Sequence, residues 1–392
     1  MEEWKKYKLG EVLTIKYGKD HKQIADGHIP IYGSGGIMRY GEQSLYEGPS
    51  ILIPRKGSLN NIMYSDKPFW TVDTMFWTII NEDMANPLFV YYSICKKDFA
   101  SLNVGSAVPS LTVPVIEDID ILLPSKETQN RIVTILKSQD DKIEVNRRIN
   151  DNLEQQAQAL FKSWFVDFEP FRDQPFVESE LGMIPEGWKV DSLSSVADYI
   201  NGLAMQKYRP IEGEAGLPVL KIKELGQGNT DDSSELCSPS LIGEKYIIDD
   251  GDIIFSWSGT LMVKVWCGGK CGLNQHLFVV KPKDYPHWFA YQWTKHHLDN
   301  FIHIAKDKAV TMGHIKRGEL DKAKVVVPDG TSMATIDSMM KPLHSQIIAN
   351  RIESRRISEL RNTLLPRLMS GEIKVGDVTL KKERTEYVRT TI

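Results

Sequence analysis

The sequence predicts an α/β (α+β) protein: two similar globular blocks and two long antiparallel coiled-coil helices, arranged as an internal pseudo-repeat. Three observations predict it. The chain resembles itself with a period near 204 residues, so that Ile132 recurs as Ile336. Strand-like and helix-like runs follow in the same order in both halves. After each block comes heptad spacing sustained for longer than a globular core helix needs. A chain of 392 residues also exceeds one ordinary core and fits two or three domains.

The first block, 1–124, opens on Trp4 and KLGEVLTIKYG; the second, 186–328, opens on Trp188 and SLSSVADYINGLAM. GPSILIPRKGS (48–58) aligns with GDIIFSWSGT (251–260), each a short apolar strand running into a Gly/Ser turn. TVDTMFWTII (71–80) aligns with LNQHLFVVKP (273–282), both rich in β-branched and aromatic residues. NPLFVYYSICKKDFASL (86–102) and HWFAYQWTKHHLDNFIH (287–303) read as amphipathic helices. A glycine-containing loop follows in each, VGSAVPSLT or DKAVTMGHIK, and each block closes on a strand, IDILLP (119–124) or AKVVVP (323–328).

Residues 125–170 and 329–375 are the two spacer helices, joined to the second block by a linker, 171–185, and followed by a polar tail, 376–392. In the first, steps of four and three select Ile132, Leu136, Gln139, Ile143, Asn146, Asn150, Leu153, Ala157, Leu160 and Trp164. In the second they select Ile336, Met340, Leu343, Ile347, Asn350, Ser354 and Ile357, then slip to Leu360, Leu364 and Leu368. Asn146 and Asn350 occupy equivalent seam positions, where a buried Asn fixes register at some loss of stability. A helix of ~35 residues is ~50 Å long, so the pair would act as a spacer between the blocks.

The net charge of −4 argues against coating DNA nonspecifically, which needs an excess of Lys and Arg. Local basic clusters exist all the same: Lys5, Lys6 and Lys8; Arg55 and Lys56; Lys306 and Lys308; Lys316 and Arg317; Arg351, Arg355, Arg356 and Arg361. No apolar run approaches a membrane span, and MEEWKKYKLG lacks a signal-peptide core, so no membrane association is expected. Four cysteines in this length suit a reducing cytoplasm.

Catalytic motifs are incomplete. Asn86-Pro87-Leu88-Phe89 approaches the Asn-Pro-Pro-aromatic motif of amino-methyltransferases, but it reads better as a helix start, with Asn86 as cap and Pro87 in the first turn. Cys267 and Cys271 with His276 have the residue types of a zinc site without a second ligand pair, and Gly268-Gly269 suggests a hairpin turn between strands. Gly18-Lys19 and Gly269-Lys270 lack the Ser/Thr of a phosphate loop, and no nucleophile elbow is present. The expectation is a non-catalytic chain with no metal and no cofactor of its own.

Several stretches resemble the specificity subunits of type I restriction–modification systems, and the resemblance covers nearly the whole chain. They are YGSGGIMRY (32–40), RKGSLNNIMYSDKPFWTVDT (55–74), ALFKSWFVDFEP (159–170), LGMIPEGWKV (181–190) and LRNTLLPRLMSGEIKV (360–375). The last three are the more specific, while 186–328 follows the pattern less closely. The resemblance implies two target-recognition domains, each reading half of a split double-stranded DNA site, and two helices that pair antiparallel. It also implies two methyltransferase subunits bound to those helices, and restriction (translocase) subunits that join later. S-adenosylmethionine would sit on the methyltransferase partner. Two alternatives stay open: a self-contained DNA methyltransferase or nuclease with its own recognition domains, and an inactive assembly paralogue.

Turns that carry Arg or Lys with Gly and Ser can offer cations, hydroxyls and backbone N–H groups to phosphates. The DNA-binding candidates are Arg55, Lys56 and Ser58; Ser110 and Thr112; Ser256 and Ser258; and Lys306, Lys308, Thr311, His314 and Lys316. A short helix behind each loop would favour an anion at its N-terminus. Asn60, Asn61, Asn274, Gln275 and His276 carry groups suited to base reading, and all are also common structural residues of turns. Late in the first spacer helix, Leu153, Leu160, Phe161, Trp164 and Phe165 gather more apolar surface than a two-helix pair needs. With Leu360 and Leu364 they are the candidates for binding the partner.

Overall fold

The computed structural model describes residues 4–105, 108–307 and 314–375. It divides into two compact units, one of 1–141 with 359–392 and one of 142–358.

In the first unit, the strand Ser50–Pro54 is buried along its whole length, as the uninterrupted apolar run SILIP demands. It lies inside a four-stranded antiparallel sheet in the order Leu13–Tyr17, Met75–Ile80, Ser50–Pro54, Met63–Ser65. A second sheet has the order Gly36–Gly41, Asp26–Gly33, Trp70–Thr71, its last pair parallel. The opening strand Lys5–Lys8 pairs antiparallel with the closing strand Asp120–Leu123, so entry and exit of the block lie side by side. Helix Pro87–Ile94 starts as its sequence predicts: the Asn86 side chain accepts from the N–H groups of Leu88 and Phe89, and Pro87 opens the helix. Burial of Leu9, Ile51, Ile53, Phe76, Phe89 and Ile121 against Ile132, Leu136, Leu365 and Leu368 makes the core.

The second unit repeats this plan. Its main sheet runs Ala197–Asn201, Leu277–Pro282, Ile253–Ser256, Met262–Val265, and strand Lys189–Ser192 pairs with Lys324–Val327. The match extends to single residues. Tyr17 and Ile53 flank Phe76 in one sheet, and Asn201 and Phe255 flank Phe278 in the other. The smaller sheet has a parallel pair here too, Leu217–Leu220 beside Cys271–Leu273.

Two local expectations change. Strand Met262–Val265 belongs to the main sheet and Cys271–Leu273 to the smaller one, so the glycines between Cys267 and Cys271 cross between sheets and do not turn a hairpin. The segment expected as a linker contains a hairpin, Phe176–Ser179 with Gly182–Pro185.

The long helices are Lys126–Phe165 and Gly330–Met369, each of 40 residues, and both end several residues before the sequence-based bounds of 170 and 375. The second contains Pro342 and Pro366, each of which removes an N–H from the helical ladder. Within the second unit the pairing is antiparallel: Asn146 Nδ2 donates to Ser354 Oγ (3.2 Å), and Asn150 Nδ2 to the Ile347 carbonyl (3.1 Å). Asn350 Nδ2 donates to Asn150 Oδ1 at 2.9 Å, so the buried Asn pair ties the two helices in one register. Leu360 is a correction. It is 52% exposed, because the seam continues without a slip through Arg361, which pairs with Asp140 in the first unit. A polar residue at a seam position disguised the heptad.

The aromatic cluster is the larger correction. Phe161, Trp164 and Phe165 are buried in the second unit's own core, where Phe165 packs on Trp188, Trp288, Phe289 and Trp293. Leu160 packs against the same core and Leu364 against that of the first unit. Phe161, Trp164 and Phe165 join the second block to the end of the first long helix and are not available to a partner, whereas Leu160 and Leu364 are half-buried.

Candidate nucleic-acid interface

In the first unit the buried strand Ser50–Pro54 delivers Arg55, Lys56, Gly57 and Ser58 to its exposed end. Gly57 has φ +90°, a conformation that side chains disfavour, and Gly259 stands at the same place of the second turn with φ +67°. The loop that closes the block is stitched to this turn. The Leu111 N–H donates to the Arg55 carbonyl (2.9 Å), and Lys56 and Ser110 form a bridge. The Ile315 N–H donates to the Trp257 carbonyl (3.2 Å) in the second unit, and Ser258 bridges His314. Each domain thus presents a turn and a loop joined in one way.

The side chains on this frame differ. The Arg55 guanidinium lies over the Tyr17 ring, 5.5 Å from its centroid. At the matching positions, Trp257 Nε1 donates to Asn201 Oδ1 at 3.0 Å. The Trp257 ring lies 6.2 Å from that of His314 and 6.3 Å from that of His276. Lys56, Ser58 and Thr112 are exposed and Ser110 is half-buried, so the first turn and loop make a continuous polar rim with two cations. Tyr17 and Asn201 were not among the residues that the sequence singled out. The signal was there: each pair is the end of one strand beside the turn of another, at matched places of the repeat.

The remaining candidates separate. Ser256 is completely buried and its hydroxyl donates to the carbonyls of Thr260 (2.8 Å) and Ser258, so it holds the turn closed and faces no ligand. Ser258 is buried as well. His314, Lys316 and Lys306 are exposed, Lys306 in the last turn of helix Leu298–Asp307. Lys308 and Thr311 lie outside the described residues. The helices behind the loops, Val113–Glu117 and Gly318–Lys322, have one turn each, and the second opens on Glu319 and Asp321, which repel an anion. Asn60 is bound to Asp98 and to the Ala100 N–H, and Asn61 to the Ser34 carbonyl. Asn274, buried, accepts from the His276 N–H. These three are structural residues of their turns.

Most of the basic clusters are spent on acidic neighbours. Lys6 and Lys8 pair with Asp120 and Asp118, Arg351 with Glu154, and Arg355 with Asp250. Arg317 donates to the Tyr199 carbonyl. Among the described residues no cluster of His, Cys, Asp and Glu could hold a metal, and no helix is long and apolar enough to cross a membrane.

Comparison with known proteins fits this duplicated geometry. The MjaIX type I restriction enzyme specificity subunit of Methanocaldococcus jannaschii is 26% identical over 342 residues, 84% of this chain and 78% of that protein. The HindI specificity subunit of Haemophilus influenzae is 24% identical, over 79% and 82%. The crystal structure of a type I restriction–modification S subunit from M. genitalium has the same fold, with TM-score 0.58 and 15% identity over 94% of this chain and 96% of that one. The family model for the type I restriction modification DNA specificity domain matches twice, at 1–155 and 185–359, once for each half of the repeat. The chain therefore belongs to the type I restriction–modification DNA-specificity family.

Proposed function

We propose that this chain is the sequence-reading, non-catalytic subunit of a type I restriction–modification complex. Each domain reads one half of a bipartite double-stranded DNA site. The long helices carry two methyltransferase subunits, and restriction (translocase) subunits join that assembly. S-adenosylmethionine binds the methyltransferase. The observation that supports the reading best is the paired turn and loop, repeated in two domains of one chain that match the family model separately. One frame with two sets of side chains is what reading two different half-sites requires. With the aromatic cluster committed to the core, exposed Leu360 and half-buried Leu153, Leu160 and Leu364 are the partner candidates that remain on the helices.

The test is methyl transfer from labelled S-adenosylmethionine to duplex DNA. The chain alone should transfer none; with methyltransferase subunits it should direct methylation to a two-part motif. Transfer by the chain alone would make it an enzyme. Failure of the chain to retain duplex DNA on a filter, with methyltransferase still bound, would make it an assembly paralogue.

A further inference from the structure

We propose that one pair of positions reads a base in each domain, Tyr17 with Arg55 in the first and Asn201 with Trp257 in the second. Arg55 selects guanine, and Asn201 selects adenine. This deepens the DNA-reading function proposed above and rests on it.

The two pairs are equivalent by register. Tyr17 lies opposite Phe76, and Asn201 opposite Phe278. The Arg55 N–H donates to the Thr74 carbonyl (2.9 Å), and the Trp257 N–H to the His276 carbonyl (3.4 Å). Both turn residues accept from the closing loop at the next contact, through Leu111 or Ile315. The backbone is held alike, yet the side chains are a cation on a phenol in one domain and an indole on an amide in the other. Where a duplicated frame is kept and its exposed chemistry changes, different bases can be told apart.

Arg55 also has the state that a reader needs. Tyr17 is 56% exposed, and its ring covers the guanidinium from one side. Among the described residues Arg55 makes one side-chain hydrogen bond, a long one (3.4 Å) to the Asp73 carbonyl, so most of its donors are open. Arg39, on the smaller sheet of the same domain, bonds to His21, Ile24 and Asp26 with its donors and is a structural group. A planar fork held in place with open donors matches the O6 and N7 acceptors of guanine. Asn201 is exposed, and its amide oxygen accepts from the indole N–H with one lone pair, which leaves the second lone pair and the NH2 to meet a base. An amide so presented suits the N6 and N7 edge of adenine. Lys56, next to Arg55, has no fixed plane, is exposed and fits a phosphate.

The complex of the full chain with its methyltransferase subunits is tested on a duplex library with randomised sequence, by selection and sequencing. For the parent complex we expect a two-part motif with guanine in one half and adenine in the other. Arg55→Gln and Arg55→Lys should each relax the guanine position by roughly tenfold to a hundredfold and leave the other half of the motif unchanged. Asn201→Ala should relax one adenine position in the opposite half. Lys56→Ala is the control: it should weaken all sequences alike and lower the slope of log affinity against log salt by about 0.9. A uniform loss in Arg55→Lys or Arg55→Gln, or a motif unchanged by every Arg55 and Asn201 variant, overturns the inference. Arg55→Lys keeps the charge and so separates loss of the fork from loss of the fold. A parent complex that selects no two-part motif would instead overturn the DNA-reading function itself.

Discussion

Compare the turn after strand Ser50–Pro54 with the turn after strand Ile253–Ser256. Each has a glycine at positive φ in the same place and is sewn to the closing loop by the same backbone contacts. One presents Arg55 and Lys56; the other presents Trp257 with a buried Ser258 beside His314. Scaffold and reading surface therefore separate within a few residues, because the constraint on the backbone comes from buried strands and the side chains beyond them meet water. A similar contrast holds at the helices. The second block is fastened to the end of the first long helix by rings (Phe161, Trp164, Phe165), and the first block to the end of the second long helix by aliphatic side chains, Leu365 and Leu368.

The largest expected effect breaks that fastening. Phe165→Asp places a charge in a dry aromatic core and should destabilise the second unit by about 4 kcal/mol or more. Leu368→Asp should do the same to the first. Hydrogen exchange resolved by peptide should show helix His287–His296 losing protection in one variant and helix Pro87–Ile94 in the other. Loss of both helices in either variant would mean that the two cores fold as one.

Acid should sharpen the contrast by a smaller amount. His344 on the second long helix is pushed down to about 3, by burial first and then by neighbouring His287, with which it is hydrogen bonded at 2.9 Å. Its folded pKa lies below the ordinary 6.5, so the unfolded chain takes up the proton first, and stability falls as pH falls from about 6.5 toward 3. The loss from this group is about 1.4 kcal/mol per pH unit in that window. The matching position of the first helix holds Asp140, paired with Arg361 and accepting from the Tyr92 hydroxyl. Denaturant melts between pH 7 and 5 should show the second unit weakening, and His344→Gln should flatten the dependence. A melt of the second unit that does not change with pH would remove His344 from the account.

The smallest effects are those of single surface cations. Lys316→Ala should lower the salt slope of DNA binding by about 0.9, whereas Lys6→Ala should leave it unchanged, because Lys6 is held by Asp120 at 2.7 Å. Equal losses for the two would say that net charge, and not the loop, carries the binding.

Much of this fold was legible because its signals are periodic or local. Strand SILIP, the Asn86 cap and the Asn146–Asn350 seam each follow from a few neighbouring residues. Residues whose meaning depends on what packs against them were not legible. Phe161 and Phe165 are apolar whether they cover a core or an interface, and only tertiary packing assigns them to the core. Arg361 hid the heptad because a half-buried ion pair with Asp140 satisfies a polar residue where the pattern expects Leu. Ser256 looked like a hydroxyl on offer, and the turn that it closes uses it internally. Tyr17 and Asn201 became part of the interface only when strand register put them beside Arg55 and Trp257.

Under the proposed function each block is a complete reader that can be exchanged. Paired entry and exit strands, Lys189–Ser192 with Lys324–Val327, make 186–328 a module that can be replaced without cutting a sheet. The most direct measurement is methylome sequencing of cells that carry the complex, before and after 186–328 is exchanged for the matching domain of a relative. One half of the methylated motif should change and the other should stay. A change in both halves, or in neither, would contradict the account.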